Sequence, residues 1–364
     1  MIRAMRKFIR IVLLALIGLV AAAAVAAGGY RAYRQNQNAH ALLIRTRTGI
    51  QESLYADIGG LKQWLQIRGE DRRNPVLLFV HGGPALSMIP FTYAAMRPWE
   101  KSFTVVQWDQ RGAGRTYLLN GGADTTATGM DQIIDDGVRV AELLRSRLHQ
   151  DKIILVGESW GSAVGLEMAR RRPDLFYAFV GTGQATDMAR ADGLTYQLLL
   201  HRVRTSGDTK SLQQLMRIGP PPYSNVETRT LEQRIDGNYQ AASEGSNSMG
   251  PDFLFAPGYS LRDSYRMLLG ATSHRAKLAS EVLRYNAVTR GAQFAVPIFF
   301  FQGSDDIQAP TTLVEEYFNQ LHAPHKEFVR FAGGGHNCFY YLSGRFLQEL
   351  NGRVRPLARP SGPT

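Results

Sequence analysis

The chain has little cysteine, no repeat and almost no charge imbalance in its body, and each lack excludes something. Cys338 is the only cysteine, so an intramolecular disulfide and a cysteine-cluster zinc site are both ruled out. Its neighbour His336 admits a Cys–His pairing, but a small apolar residue at a helix start is the plainer reading. No dinucleotide-type glycine fingerprint and no metal-ligand cluster occurs, so no cofactor is expected. The formal charge of +11 suggests a nucleic-acid partner until it is located. Residues 1–34 hold six of the Lys and Arg and no acid, residues 351–364 hold three more, and only +2 remains for residues 35–350. The basicity belongs to the two ends, and no nucleic-acid footprint falls on the body.

What is present is ordinary globular composition, 44% hydrophobic and 20% charged, over 364 residues. That length suits one domain with a large insertion, or two domains. The exception is the start. Arg3, Arg6, Lys7 and Arg10 precede an uncharged run from Ile11 to Gly29, which as a helix spans about 28 Å, close to a bilayer's hydrocarbon core. A buried core helix would keep a polar face, which this run lacks. A cleavable signal has A-x-A tripeptides available around Ala22 to Ala27. An uncleaved anchor is preferred, because the run is long and Tyr30, Arg31 and Arg34 follow it as an interfacial stop. Cations flank the span on both sides, and only the tighter cluster before it favours an inside N-terminus and a periplasmic or extracytoplasmic body. A cleaved segment would leave the body secreted.

Past a polar tether (residues 35–50), GIQESLYADIGGLKQWLQIRG reads as two alternating strands joined at Gly59-Gly60. NPVLLFVHGG and FTVVQWDQRG are apolar strands ending in polar and glycine residues, and MDQIIDDGVRVAELLRSRL has helical spacing. KIILVGESWGSAVGLEMARRRP is strand, abrupt turn and helix, and LFYAFVGTG is another buried strand. From 184 to 293 the alternation gives way to amphipathic helices, then resumes with FAVPIFFFQGSDD, TTLVEEYFNQL, KEFVRFAGGGHN and a last helix. The expectation is an α/β fold with a mostly parallel sheet, helices on both faces and a helical cap. Its domains are a membrane segment (1–34), a core in two pieces (51–183 and 294–350), a cap (184–293) and a basic tail (351–364).

In such a sheet ligands bind at the carboxyl ends of strands, and the chemically suggestive residues all fall there. Ser159 follows KIILVG, Asp305 and Asp306 follow PIFFFQG, and His336 follows EFVRFAGGG. Alone, each is commonplace: a serine in a bend, a turn aspartate, a loop histidine. Together, in the order Ser…Asp…His, they match a nucleophile elbow with its base and orienting acid. A serine hydroxyl needs a base to take its proton, imidazole titrates near neutral pH, and a carboxylate fixes the ring's tautomer. Gly157 and Gly161 supply the small flanks that a strained elbow needs. Two N–H donors should hold the oxyanion, one from Trp160 after the nucleophile and one from Gly83 in the HGGPA loop.

HGGP (81–84), WDQRGAGRT (108–116), GESWGS (157–162), GSDDIQAP (303–310) and GGGHN (333–337) closely resemble the proline iminopeptidase-like branch of the α/β-hydrolase superfamily. The likeness extends from about residue 51 to residue 350. It implies Asp306, third after Gly303, as the acid ahead of Asp305, a structural His81, and bracing roles for Asp109 and Arg111, as an ion pair. It also implies a small-molecule or short-peptide substrate, an aminopeptidase activity first, and a carboxylesterase or lactonase second. A non-catalytic binding protein on this fold is the remote alternative. Ser159 speaks against the epoxide and haloalkane hydrolases, which place a carboxylate at the elbow. Two departures stand out. Prolyl aminopeptidases hold the substrate amine with cap glutamates near a Trp-Glu pair, but all four tryptophans lie outside the cap. Glu227, Glu232 and Glu244 remain as amine clamps or as surface residues, and Glu158 either faces the pocket or braces the elbow. Ala85 stands where relatives often have glycine.

Overall fold

The computed structural model describes residues 2–121, 129–223, 226–243 and 249–358. Helix α1 (Ile2–Ala41) leads into a hairpin of β1 (Ile50–Ile58) and β2 (Leu61–Gly69). There follow β3 (Val76–Val80), α2 (Ile89–Met96), β4 (Thr104–Asp109), α3 (Gly114–Asn120) and α4 (Met130–Arg147). Next come β5 (Ile153–Glu158), α5 (Trp160–Arg171) and β6 (Phe176–Thr182). The cap comprises α6 (Met188–Ser206), α7 (Thr209–Ile218), α8 (Val226–Ser243), α9 (Gly250–Leu254) and α10 (Leu261–Arg284). The core closes with β7 (Ile298–Gly303), α11 (Thr311–Gln320), β8 (Lys326–Phe331), α12 (Cys338–Tyr341) and α13 (Ser343–Glu349).

One eight-stranded sheet runs in the order β1-β2-β4-β3-β5-β6-β7-β8. β1–β2 and β2–β4 are antiparallel and the remaining pairs are parallel. The central strands are apolar on both faces because both are covered. On β3, Val76, Leu78 and Val80 enter the core under α4 and α5, while Leu77 and Phe79 enter the opposite core with Trp99, Phe339 and Phe346. β7 divides in the same way, Ile298 and Phe300 against Phe299 and Phe301. Such alternation is the period-2 pleat of a strand buried twice. This is the α/β-hydrolase fold.

Two expected boundaries move. The tether of residues 35–50 is helical as far as Ala41. Arg31, Gln35 and Asn38 share one face of α1 and donate to cap carbonyls: Arg31 to Leu254 and Tyr259, Gln35 to Ala256 and Tyr259, Asn38 to Phe255. Spacing at i, i+4 and i+7 makes this a stripe, and the stripe docks the helix on the body. The tail expected at 351–364 likewise packs through residue 358, with Val354 and Ala358 in the second core. In contrast, residues 3–25 of α1 are exposed on every side. α1 is the one described helix long and apolar enough to cross a membrane.

Candidate active site

Ser159 sits between β5 and α5 with φ +52° and ψ −122°, a conformation that L-residues rarely adopt. The flanking glycines make this elbow possible. A Cβ on Gly157 would lie 2.4 Å from the Gly161 carbonyl oxygen, and one on Gly161 would lie 2.0 Å from that of Val80. Neither obstacle is a side chain that can swing aside. Gly161→Ala is expected to destabilise the fold by about 3 kcal/mol, the upper range for overpacking, read as a fall in urea midpoint; an unchanged midpoint would refute the packing account.

The strand-end residues meet. His336 Nε2 lies 2.9 Å from Ser159 Oγ, and Nδ1 lies 3.1 and 3.0 Å from Asp306 Oδ1 and Oδ2. Asp306 and His336 are buried. Asp306 is held by three further donors: Gln308 N–H and Ala309 N–H to Oδ1, and Gln302 Nε2 to Oδ2, each at 2.9 Å. Asp305, the other half of the pair, is half-buried and lends its carbonyl to Arg202. With the Nδ1 proton directed at a carboxylate, Nε2 is left as a base toward the hydroxyl. That arrangement can deprotonate a serine and return the proton to a leaving group.

The HGGP loop abuts the elbow, since a Cβ on Gly82 would be 2.7 Å from that of Ser159. Gly82 N–H donates to Glu158 Oε2 at 2.8 Å, leaving Gly83, with φ +55°, as the next donor in the loop. Trp160 opens α5, where an N–H has no intrahelical acceptor. Ala85 has φ +67°, so the backbone still takes the left-handed turn for which glycine is suited. Glu158 is buried beside the elbow. It braces the loop through Gly82, and its Oε1 is 3.9 Å from His336 Nε2. Burial pushes its carboxyl above the usual range, against the opposing pull of His336 and the Gly82 N–H.

His81 is buried, and burial lowers its imidazole to about 4, which keeps it neutral. It accepts from Gln110 N–H, while Gln110 Nε2 donates to the His81 carbonyl and Trp160 Nε1 donates to Gln110 Oε1. Gln110 thus ties the HGGP loop to the start of α5, a role the sequence signalled only through its place in DQRG. The ion pair expected between Asp109 and Arg111 does not form. Arg111 pairs with Asp136 of α4, and Asp109 accepts from Arg115 N–H at 2.7 Å. Asp109 points back into its own turn, where burial raises it to about 6, and the Arg111 guanidinium takes the carboxylate on the neighbouring helix. Cys338 begins α12 as a buried residue beside Thr182.

In the cap, Glu232 is buried next to Tyr223 rather than on the surface. The Glu227 side chain and Glu244 lie outside the described residues. Asp236, which the sequence reading passed over, lies on the same helix, α8. Gln308 Nε2 donates to its Oδ2 at 2.6 Å, and Oδ1 has no hydrogen-bond partner among the described residues. Burial raises its carboxyl to about 6, with His336 and Gln308 pulling the other way. Polar residues on amphipathic helices read as surface, and only the fold turns this one inward.

A family model for serine aminopeptidases of group S33 matches residues 71–340. A probable aminopeptidase of Bacillus subtilis (strain 168), YbaC, is 31% identical over 303 residues, 82% of this chain and 94% of that protein. A proline iminopeptidase of Lactobacillus delbrueckii subsp. bulgaricus is 30% identical over 305 residues, 82% of this chain and 95% of that one. The crystal structure of a proline iminopeptidase-related protein from Thermus thermophilus matches in fold, with TM-score 0.57 at 17% identity, over 85% of this chain and 99% of that one.

Proposed function

The chain belongs to the serine aminopeptidase (S33) family of α/β-hydrolases, and on that footing we propose that it is a membrane-anchored serine hydrolase working through an acyl-enzyme. The observation that carries this reading is the hydrogen-bonded line from Ser159 Oγ through His336 to Asp306 on a positive-φ elbow. Ser159 attacks the substrate carbonyl as His336 Nε2 takes its proton, and the C–O bond to the enzyme forms. The Gly83 and Trp160 N–H groups hold the oxyanion. His336 then protonates the leaving amine or alcohol, water enters, and the same base activates it to release the acid. α1 holds the body outside the cytoplasm, with the Arg3–Arg10 cluster inside.

Within that class an aminopeptidase of proline iminopeptidase type is the first reading, supported by the relatives and by buried carboxylate at the cap. An ammonium group needs a buried anion to replace its water. Asp236, buried and with one oxygen open among the described residues, is the residue we assign to that role, with Glu232 beside it on α8. A panel of prolyl, alanyl and N-blocked aminoacyl amides tests this. Free-amine substrates are expected to be preferred about 100-fold or more, the range for a lost buried charge partner. The preference should fade as pH drops through about 6, where Asp236 becomes protonated. Asp236→Asn should remove the preference through KM while leaving turnover of a blocked ester intact. Equal rates on free and blocked substrates would favour the carboxylesterase or lactonase reading instead.

A further inference from the structure

Helix α10 carries an apolar patch that neither the core nor the site uses. Leu261, Tyr265, Leu268 and Leu269 are 60%, 64%, 44% and 50% exposed, and at i, i+4, i+7 and i+8 they share one outer face. The inner face of the same turns, Ser264, Met267 and Ala271, is buried. Beyond Leu269 the outer face changes character, to Thr272, Ser273 and Lys277. Large apolar side chains are therefore gathered at one end of one helix, with exposed Leu254 close by in sequence. A contiguous patch of this kind marks a contact surface.

Its place on the molecule identifies the partner. The segment leading into α10 is the one that grips α1. Arg31 donates to the carbonyls of Leu254 at 3.0 Å and Tyr259 at 2.7 Å, and the Tyr30 and Phe255 rings meet edge to face with centroids 5.7 Å apart. On α1 these residues come directly after the uncharged run ending at Gly29, and Arg31 is only about 3 Å further along the axis. The start of α10 is thus tied to the level at which a bilayer around α1 passes from hydrocarbon to headgroups. Tyr30 and Tyr33 are exposed at this level, as interfacial aromatics are. Arg262 projects from the same turns, and Arg266 half-projects, cations suited to anionic headgroups.

We propose that the outer face of the first turns of α10, together with Leu254, beds into the headgroup region of the bilayer that holds α1, as amphipathic interfacial helices do. The inference rests on α1 being an uncleaved anchor and is independent of which bond the site cleaves. It gives the cap a fixed seat. Arg275, about 21 Å further along α10, reaches the Gly83 carbonyl at 3.2 Å, so one helix connects the bilayer contact to the loop beside Ser159. A substrate presented at the membrane surface is the kind such an arrangement meets first.

The test uses the full chain in nanodiscs containing phosphatidylglycerol. Cys338 is fully buried, so single cysteines introduced at Leu261, Tyr265 or Leu269 accept a fluorescent probe selectively. Brominated lipids are expected to quench probes at these three positions several-fold more than probes at Ser273 and Lys277 on the same helix. Equal or weaker quenching at the three patch positions overturns the proposal, the weaker result being the one expected if the patch instead pairs two copies. Flotation of the same samples shows whether α1 is inserted, and failure to float overturns the anchor and the proposal together. Turnover of a short ester, measured alongside, reports on the hydrolase reading separately.

Discussion

Ser159→Ala is expected to abolish labelling by a fluorophosphonate probe and to lower kcat by about 10⁶-fold, the scale on which a serine nucleophile and its base act as a unit. The side chain is small, its backbone N–H donates to the Thr182 carbonyl at 2.9 Å, and its carbonyl accepts from Ser162 N–H at 2.8 Å. These backbone bonds survive the substitution, so the elbow keeps its shape while losing the hydroxyl. The variant should therefore fold as the parent does and still bind substrate, because the proposed oxyanion donors and the cap are untouched. Residual hydrolysis of roughly 10³ over water would come from those donors and from positioning. Persistent labelling in this variant would mean that some other residue is the nucleophile and would remove the basis of the proposed mechanism.

How far such a site can be read from a chain depends on which residues report local geometry and which report distant packing. Ser159, Asp306 and His336 were legible because each lies where an apolar strand gives way to glycines, and strand ends converge whatever the intervening length. The β1–β2 hairpin was legible for a similar reason, Gly59-Gly60 being a local turn signal between alternating strands. Arg111 was assigned to the wrong partner because Asp109 is near in sequence, whereas Asp136 becomes near only when α4 packs against the sheet. Asp236 was missed because periodicity places a polar residue on a helix without saying what faces it. The continuation of α1 to Ala41 had a signal, Arg31, Gln35 and Asn38 at helical spacing, but its meaning depended on carbonyls more than 200 residues away. Gln302 and Gln308 carried no signal, since their value lies wholly in the hydrogen bonds they place around Asp306 and Asp236.

Those bonds decide what happens when Asp306 becomes asparagine, for which a loss of about 10⁴-fold in kcat is expected with the fold retained. An amide has one acceptor oxygen and one NH2 group. Two backbone donors, Gln308 N–H and Ala309 N–H, converge on Oδ1, so the amide oxygen will settle there. The NH2 group is then placed at Oδ2, against Gln302 Nε2 and His336 Nδ1. Gln302 cannot turn its oxygen toward the newcomer without cost, because Oε1 already accepts from Gln184 N–H and Nε2 also donates to the Ala309 carbonyl. Relief falls to the imidazole. Nδ1 becomes the acceptor, the ring proton moves to Nε2, and Nε2 now points a hydrogen at Ser159 Oγ instead of a lone pair. The base is present at 2.9 Å but in the wrong tautomer. Raising the pH should recover part of the rate as hydroxide takes over deprotonation of the serine, giving a profile that climbs where the parent has levelled off. A variant that kept a flat plateau and near-parental kcat would show that Asp306 only fills space beside the ring.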